Sequence, residues 1–103
     1  MEDSNQNRSC LHFVVSATPS ALTDGLNCRV DGDSMVFIDA GVMHLVAESG
    51  LQIDLNSPGL AFSREDLEAR GLLRVARDRG VKILDDRGMV ALLRNHEHCL
   101  TWK

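Results

Sequence analysis

The chemistry available to this chain lies mainly in three cysteines and four histidines. Cys10, Cys28 and Cys99 stand far apart, odd in number and without a CxxC pair. That is not a secreted disulfide framework, so the thiols are read one by one. A thiolate is a nucleophile that can attack a disulfide or a persulfide. Cys10 precedes one apolar run and Cys99 opens another, and either could be a small buried hydrophobe. Cys28 falls near the end of a predicted helix. The carbonyl end of a helix does not help a thiolate form, and Arg29 beside it offsets that in part. A redox or sulfur-carrying role and a purely structural one both stay open for Cys28.

The other polar groups are less suggestive. His96-x-His98-Cys99 has the look of a metal cluster, but its members are too close for zinc-finger spacing and no distant CxxC completes it. These residues read as a solvated helix-to-strand turn, and no metal site is expected. His12 and His44 lie in or beside apolar runs and read as satisfied core or interface histidines. Asp39 ends a predicted strand, at the edge where open α/β sheets build their sites, yet it also reads as a cap for the next helix. Asp85 and Asp86 begin the last helix. Nothing matches GxGxxG, GxxxxGK[ST] or GxSxG, so no nucleotide loop, nucleophile elbow or cofactor is expected.

The elements that must position these groups are organised around Ser34 to Gly41. Met35-Val36-Phe37-Ile38 is an apolar run with the character of a strand buried on both faces, and Asp31-Gly32-Asp33 is a turn just before it. Leu11 to Val15 is a second such strand. Thr18-Pro19 reads as N-cap and first helical residue, opening a helix over Ala21 to Val30 with Leu22, Leu26 and Val30 on one stripe. Val42, Met43, Leu45 and Val46 suggest a short helix and are expected to form an exposed apolar patch for subunit contact. Leu51, Ile53 and Leu55 alternate like a strand, or belong to helix and loop. Leu60-Ala61-Phe62 is a third strand, and Ser63 with Asp66 has capping-box spacing for the helix that follows. Leu72 to Gly80 can add a further turn or two of helix. Val81 to Leu84 is a fourth strand, Gly88 to Asn95 an amphipathic helix, and Cys99 to Trp102 a final strand. Strands alternating with helices imply α/β architecture, with a largely parallel sheet three layers thick.

Composition sets the outer limits. At 103 residues the chain is expected to form one domain, 1–103, with 1–9 as a flexible tail. Aromatic residues are 4% of the chain, so Leu, Val, Ile, Ala and Met must supply the core. A net charge of −4 without a basic run argues against direct nucleic-acid binding. No apolar run approaches the length of a membrane span, and the polar start is not a signal peptide. The expected location is the reducing cytoplasm.

From Leu11 to Trp102 the sequence resembles the DsrH/TusB family of small sulfur-relay subunits. The resemblance rests on Leu11-His12, on Gly32 followed by Ile38-Asp39-Ala40-Gly41-Val42, and on Asp66-Leu67-x-Ala69-Arg70-Gly71-Leu72. Ile83-Leu84-Asp85, Val90-x-Leu92, His96 and Trp102 complete it. It implies a three-layer α/β/α fold with a five-stranded, mainly parallel sheet. It also implies a cytoplasmic heterohexamer with DsrE/TusD-like and DsrF/TusC-like sister subunits, two copies of each. The family passes sulfur as a protein persulfide between donor and acceptor proteins, for 2-thiolation of the tRNA wobble uridine or for dissimilatory sulfur oxidation. The principal acceptor cysteine is on the DsrE/TusD-like sister. Some members also carry a cysteine in the first helix. Counting back from Gly32, that position is Gly25 here, and Cys28 stands one turn further on.

The leading expectation is therefore a sulfur-relay subunit whose own part is mainly assembly. A second is that it carries sulfur on Cys28. A third, from another class, is a small α/β homo-oligomeric interaction module without sulfur chemistry.

Overall fold

The computed structural model describes residues 9–47 and 54–103. Five parallel strands form one sheet in the order β4-β3-β2-β1-β5. They are β1 (Cys10–Val14), β2 (Ser34–Phe37), β3 (Leu60–Ser63), β4 (Ile83–Leu84) and β5 (His98–Trp102). The helices are α1 (Pro19–Cys28), α2 (Arg64–Ala69), α3 (Leu73–Arg79) and α4 (Asp86–Asn95). A 3-10 helix, Asp39–Leu45, follows β2. Among the described residues, no helix is long and apolar enough to cross a membrane.

The helices divide unequally between the two faces. On one, α1, the 3-10 helix, α2 and α3 cover Val14, Met35, Phe37, Leu60 and Phe62. Phe37 and Phe62 stack at the centre, with ring centroids 4.5 Å apart. On the other, Met89 and Leu92 of α4 pack over Leu11, Val36, Ala61 and Leu84. Met35, Val36 and Phe37 are fully buried, as a strand with apolar residues on both faces requires. The result is the three-layer α/β/α arrangement, with every strand pair parallel.

Local signals explain most boundaries. Pro19 opens α1 with φ already fixed, while Thr18 holds an extended backbone and makes no side-chain cap. Ser63 Oγ accepts from Asp66 N and Asp85 Oδ1 from Gly88 N, each capping the helix that follows.

Two expectations are corrected. Helix α1 stops at Cys28, and Val30 stands 66% exposed instead of continuing the Leu22–Leu26 stripe. The reason is local: the Val30 N–H is taken by Asp33 Oδ2 at 3.2 Å, which draws the chain into its turn. The second concerns the apolar patch at 42–46. Val42 and Leu45 are buried, Val46 is half-buried, and Met43 alone of the four is exposed. Gly41 lies so close to the Val14 carbonyl that a Cβ there would collide with it. That approach seats the 3-10 helix on the sheet and turns Val42 and Leu45 inward. Leu51 and Ile53, and the expected tail up to residue 8, lie outside the described residues.

Candidate functional site at the amino edge of the sheet

The amino ends of β1 and β2 meet in a buried polar network. Asp33, 5% exposed, sits just before β2 and reaches across to β1. Its Oδ1 accepts the Cys10 backbone N–H at 2.9 Å, and its Oδ2 accepts from His12 Nε2 at 2.8 Å and from Val30 N. The other His12 nitrogen, Nδ1, accepts from Trp102 Nε1 at 3.1 Å. An indole N–H can only donate, so His12 Nδ1 is the acceptor and Nε2 carries the proton toward Asp33. The network ties β1, β2 and β5 together. Burial pushes the Asp33 carboxyl up, but the Cys10 N–H, the His12 imidazole and the Val30 N–H outweigh it, and the net shift is downward.

Next to Asp33 the surface opens into a shallow cavity of about 550 Å³, lined by Arg29, Asp31, Gly32, Ser34, Ser57 and Pro58 among others. Arg29 spans it. Its Nη2 donates to the Pro58 carbonyl at 2.7 Å and its Nε to the Asp33 carbonyl at 3.4 Å. The guanidinium that sequence places beside Cys28 thus bridges the α1–β2 and β2–β3 loops.

The three thiols all lie toward this edge, in different settings. Cys28 is the last residue of α1 and exposed, one residue from the cavity-lining Arg29. Cys10, the first residue of β1, is half-buried. Burial raises its thiol pKa, helped by the Asp33 carboxylate and by Cys99, which keeps it in the poorly nucleophilic SH form. Cys99 is exposed on β5, which corrects the expectation of a buried thiol there. It lies on the edge strand, on the face that α4 covers only in part. Gly25 is buried, and a Cβ on it would lie 3.0 Å from Met35 Cε and 3.2 Å from Trp102 Cδ1. A cysteine at that position would face the sheet. Cys28, three residues on, has rotated out to solvent.

At the opposite, carboxyl edge, Asp39 does not cap the 3-10 helix. Ile38 is the N-cap, and Asp39 takes a positive φ of 50° as the first residue within. Its carboxylate instead accepts from Arg70 Nη2 at 2.9 Å. His44 is buried, bonds through Nε2 to the Ser16 carbonyl at 2.8 Å, and has no partner for Nδ1 among the described residues. Burial lowers its pKa, partly opposed by that bond. His96 Nδ1 donates back to the Leu92 carbonyl, and His98 lies beside Glu97.

Sequence reasoning treated Asp33 as a turn residue and missed its part in the network. One signal was available. A histidine inside an apolar strand needs a partner for each ring nitrogen, and a carboxylate at the start of the neighbouring strand is well placed to supply one.

A family model described as "DsrH like protein" matches residues 16–99. No curated protein matches the chain.

Proposed function

Because the chain belongs to the DsrH-like family, a group of sulfur-relay subunits, we propose that it works in a complex with DsrE/TusD-like and DsrF/TusC-like sisters in the reducing cytoplasm. The complex receives persulfide sulfur from a donor protein and hands it on, toward tRNA wobble-uridine thiolation or sulfur oxidation. The principal acceptor thiol is on the sister, and this subunit's main part is assembly.

Where this chain handles sulfur itself, Cys28 is the carrier. The observation that supports this is its exposure at the end of α1, one residue from the cavity-lining Arg29, while Cys10 is half-buried and its thiol pKa is raised. The Cys28 thiolate attacks the outer sulfur of the donor persulfide. An S–S bond forms between Cys28 Sγ and that sulfur, and the bond to the donor cysteine breaks, releasing the donor as a thiolate. The acceptor thiolate then attacks the same sulfur and releases Cys28. No external oxidant or reductant is consumed.

The test is the intact mass of the chain after incubation with a persulfide donor, alone and with the sister subunits. A gain of about 32 Da, one sulfur added to a thiol, is expected to disappear in Cys28→Ser. Uptake at Cys10 or Cys99 contradicts the assignment of the carrier. The reading as a homo-oligomeric interaction module without sulfur chemistry predicts no uptake on this chain and no complex with the sisters, whatever the sisters themselves take up.

A further inference from the structure

The two edges of the sheet differ. Strand β4 has two residues, and a short edge strand offers little to pair with. Strand β5 has five residues, without proline, and among the described residues it pairs with β1 alone. The Trp102 carbonyl accepts from Val15 N at 3.0 Å, so Trp102 directs its backbone groups toward β1. By strand alternation His98 and Leu100 do the same, and the N–H and C=O of Cys99 and Thr101 point away from the sheet. Leu100, in register with His12, is nevertheless 43% exposed.

We propose that β5 pairs antiparallel with β5 of a second copy of this chain, about a two-fold axis at Leu100. Three independent features select that occupant and register. Antiparallel hydrogen-bonded pairs need two outward-facing residues opposite each other, and this axis sets Cys99 against Thr101 of the copy, twice. The same axis puts Leu100 against its own counterpart in the closely spaced, non-hydrogen-bonded position, where its exposed side chain is covered. It also sets Glu97 against Lys103 at both ends. Moving the axis by one residue either way keeps the outward residues opposed but brings Glu97 against Thr101, or Lys103 against Cys99. Only the Leu100 axis joins opposite charges, and it makes the edge complementary to itself. The pairing joins two five-stranded sheets into one of ten. It does not depend on the sulfur reading, since it uses the backbone and the Glu97 and Lys103 side chains.

Sedimentation velocity of the full chain, at concentrations up to about 100 µM, tests it. The wild type is expected to sediment as a dimer. Thr101→Pro removes an N–H that faces away from β1, so the β1–β5 ladder survives while the outer edge is blocked. This variant is expected to be a monomer with an unchanged far-UV circular dichroism spectrum. Should proline unfold the chain, the charges decide. Glu97→Lys is expected to weaken the dimer roughly tenfold, through two like-charge pairs per dimer, and the double variant Glu97→Lys/Lys103→Glu to restore it. A wild type that stays monomeric overturns the proposal. So does a folded Thr101→Pro dimer, or a double variant no tighter than the single.

Discussion

Trp102 donates its indole N–H to His12 Nδ1 at 3.1 Å, and that bond decides which nitrogen of His12 faces Asp33 with a proton. The last strand thereby sets the hydrogen-bonding role of a histidine on the first, which in turn holds the turn before the second. Trp102→Phe keeps most of the ring's packing but leaves His12 Nδ1 unpaired. It is expected to cost about 1–3 kcal/mol in a urea titration followed by circular dichroism, the range for an unsatisfied buried group. A change within the scatter of surface substitutions would mean that the bond contributes nothing.

Asp33→Ala strips the acceptor from the His12 imidazole and from the Cys10 and Val30 backbone N–H groups together. Its loss is expected to exceed that of Asp33→Asn, whose amide oxygen can still accept. Equal losses for the two variants, measured in the same titration, would show that acceptor capacity is not what the site uses.

Acid should destabilise the fold in two steps. His44 has a folded pKa below the ordinary 6.5, so the unfolded chain binds more protons in that window. Its contribution is complete above 6.5 and is lost as pH falls through the folded value. Asp33 likewise lies below the ordinary 3.8, and its contribution is lost only at lower pH. His44→Gln can keep the bond to the Ser16 carbonyl without titrating. The thermal midpoint of this variant is expected to fall less steeply than that of the wild type just below pH 6.5. Parallel profiles would remove His44 as a source of the slope.

Phe37 is fully buried, stacked on Phe62 and tilted against His44. Phe37→Ala is expected to cost about 3–5 kcal/mol, a core-cavity value that could be most of a small domain's stability. A loss below about 1 kcal/mol would place this ring outside the core.

Thiol labelling of the native protein should separate the cysteines. Cys28 and Cys99, both exposed, are expected to react quickly with a maleimide, and Cys10 slowly, because it is half-buried and held as the thiol. Peptide mapping after a short pulse reads this order. Rapid labelling of Cys10 would contradict the closed setting at the start of β1.

The sheet was legible because its strands are apolar runs bounded by turn residues. Met35-Val36-Phe37 could hardly be anything but a central strand, and Ser63 and Asp85 announce the helices they cap. What escaped depended on contacts across the fold. The inward turn of Val42 and Leu45 follows from Gly41 meeting the Val14 carbonyl, a contact between residues far apart in sequence. The early end of α1 follows from Asp33 capturing the Val30 N–H. Asp39 looked like a cap because aspartate favours that place, but its partner Arg70 lies 31 residues away. Of the thiols, the exposure of Cys28 could be read from its place on a helix surface. In the His12–Asp33–Trp102 network, the need of a strand histidine for polar partners was readable, but the choice of Trp102, 90 residues away, was not.

The most direct measurement is native mass spectrometry of this chain mixed with the DsrE/TusD-like and DsrF/TusC-like sisters proposed for it, before and after a persulfide donor. The predicted result is a complex containing all three chains that gains about 32 Da per loaded cysteine. The gain falls on the sister's acceptor and, where this chain is loaded, on Cys28. A chain that stays out of the complex while the sisters assemble and take up sulfur without it would contradict its place in the relay.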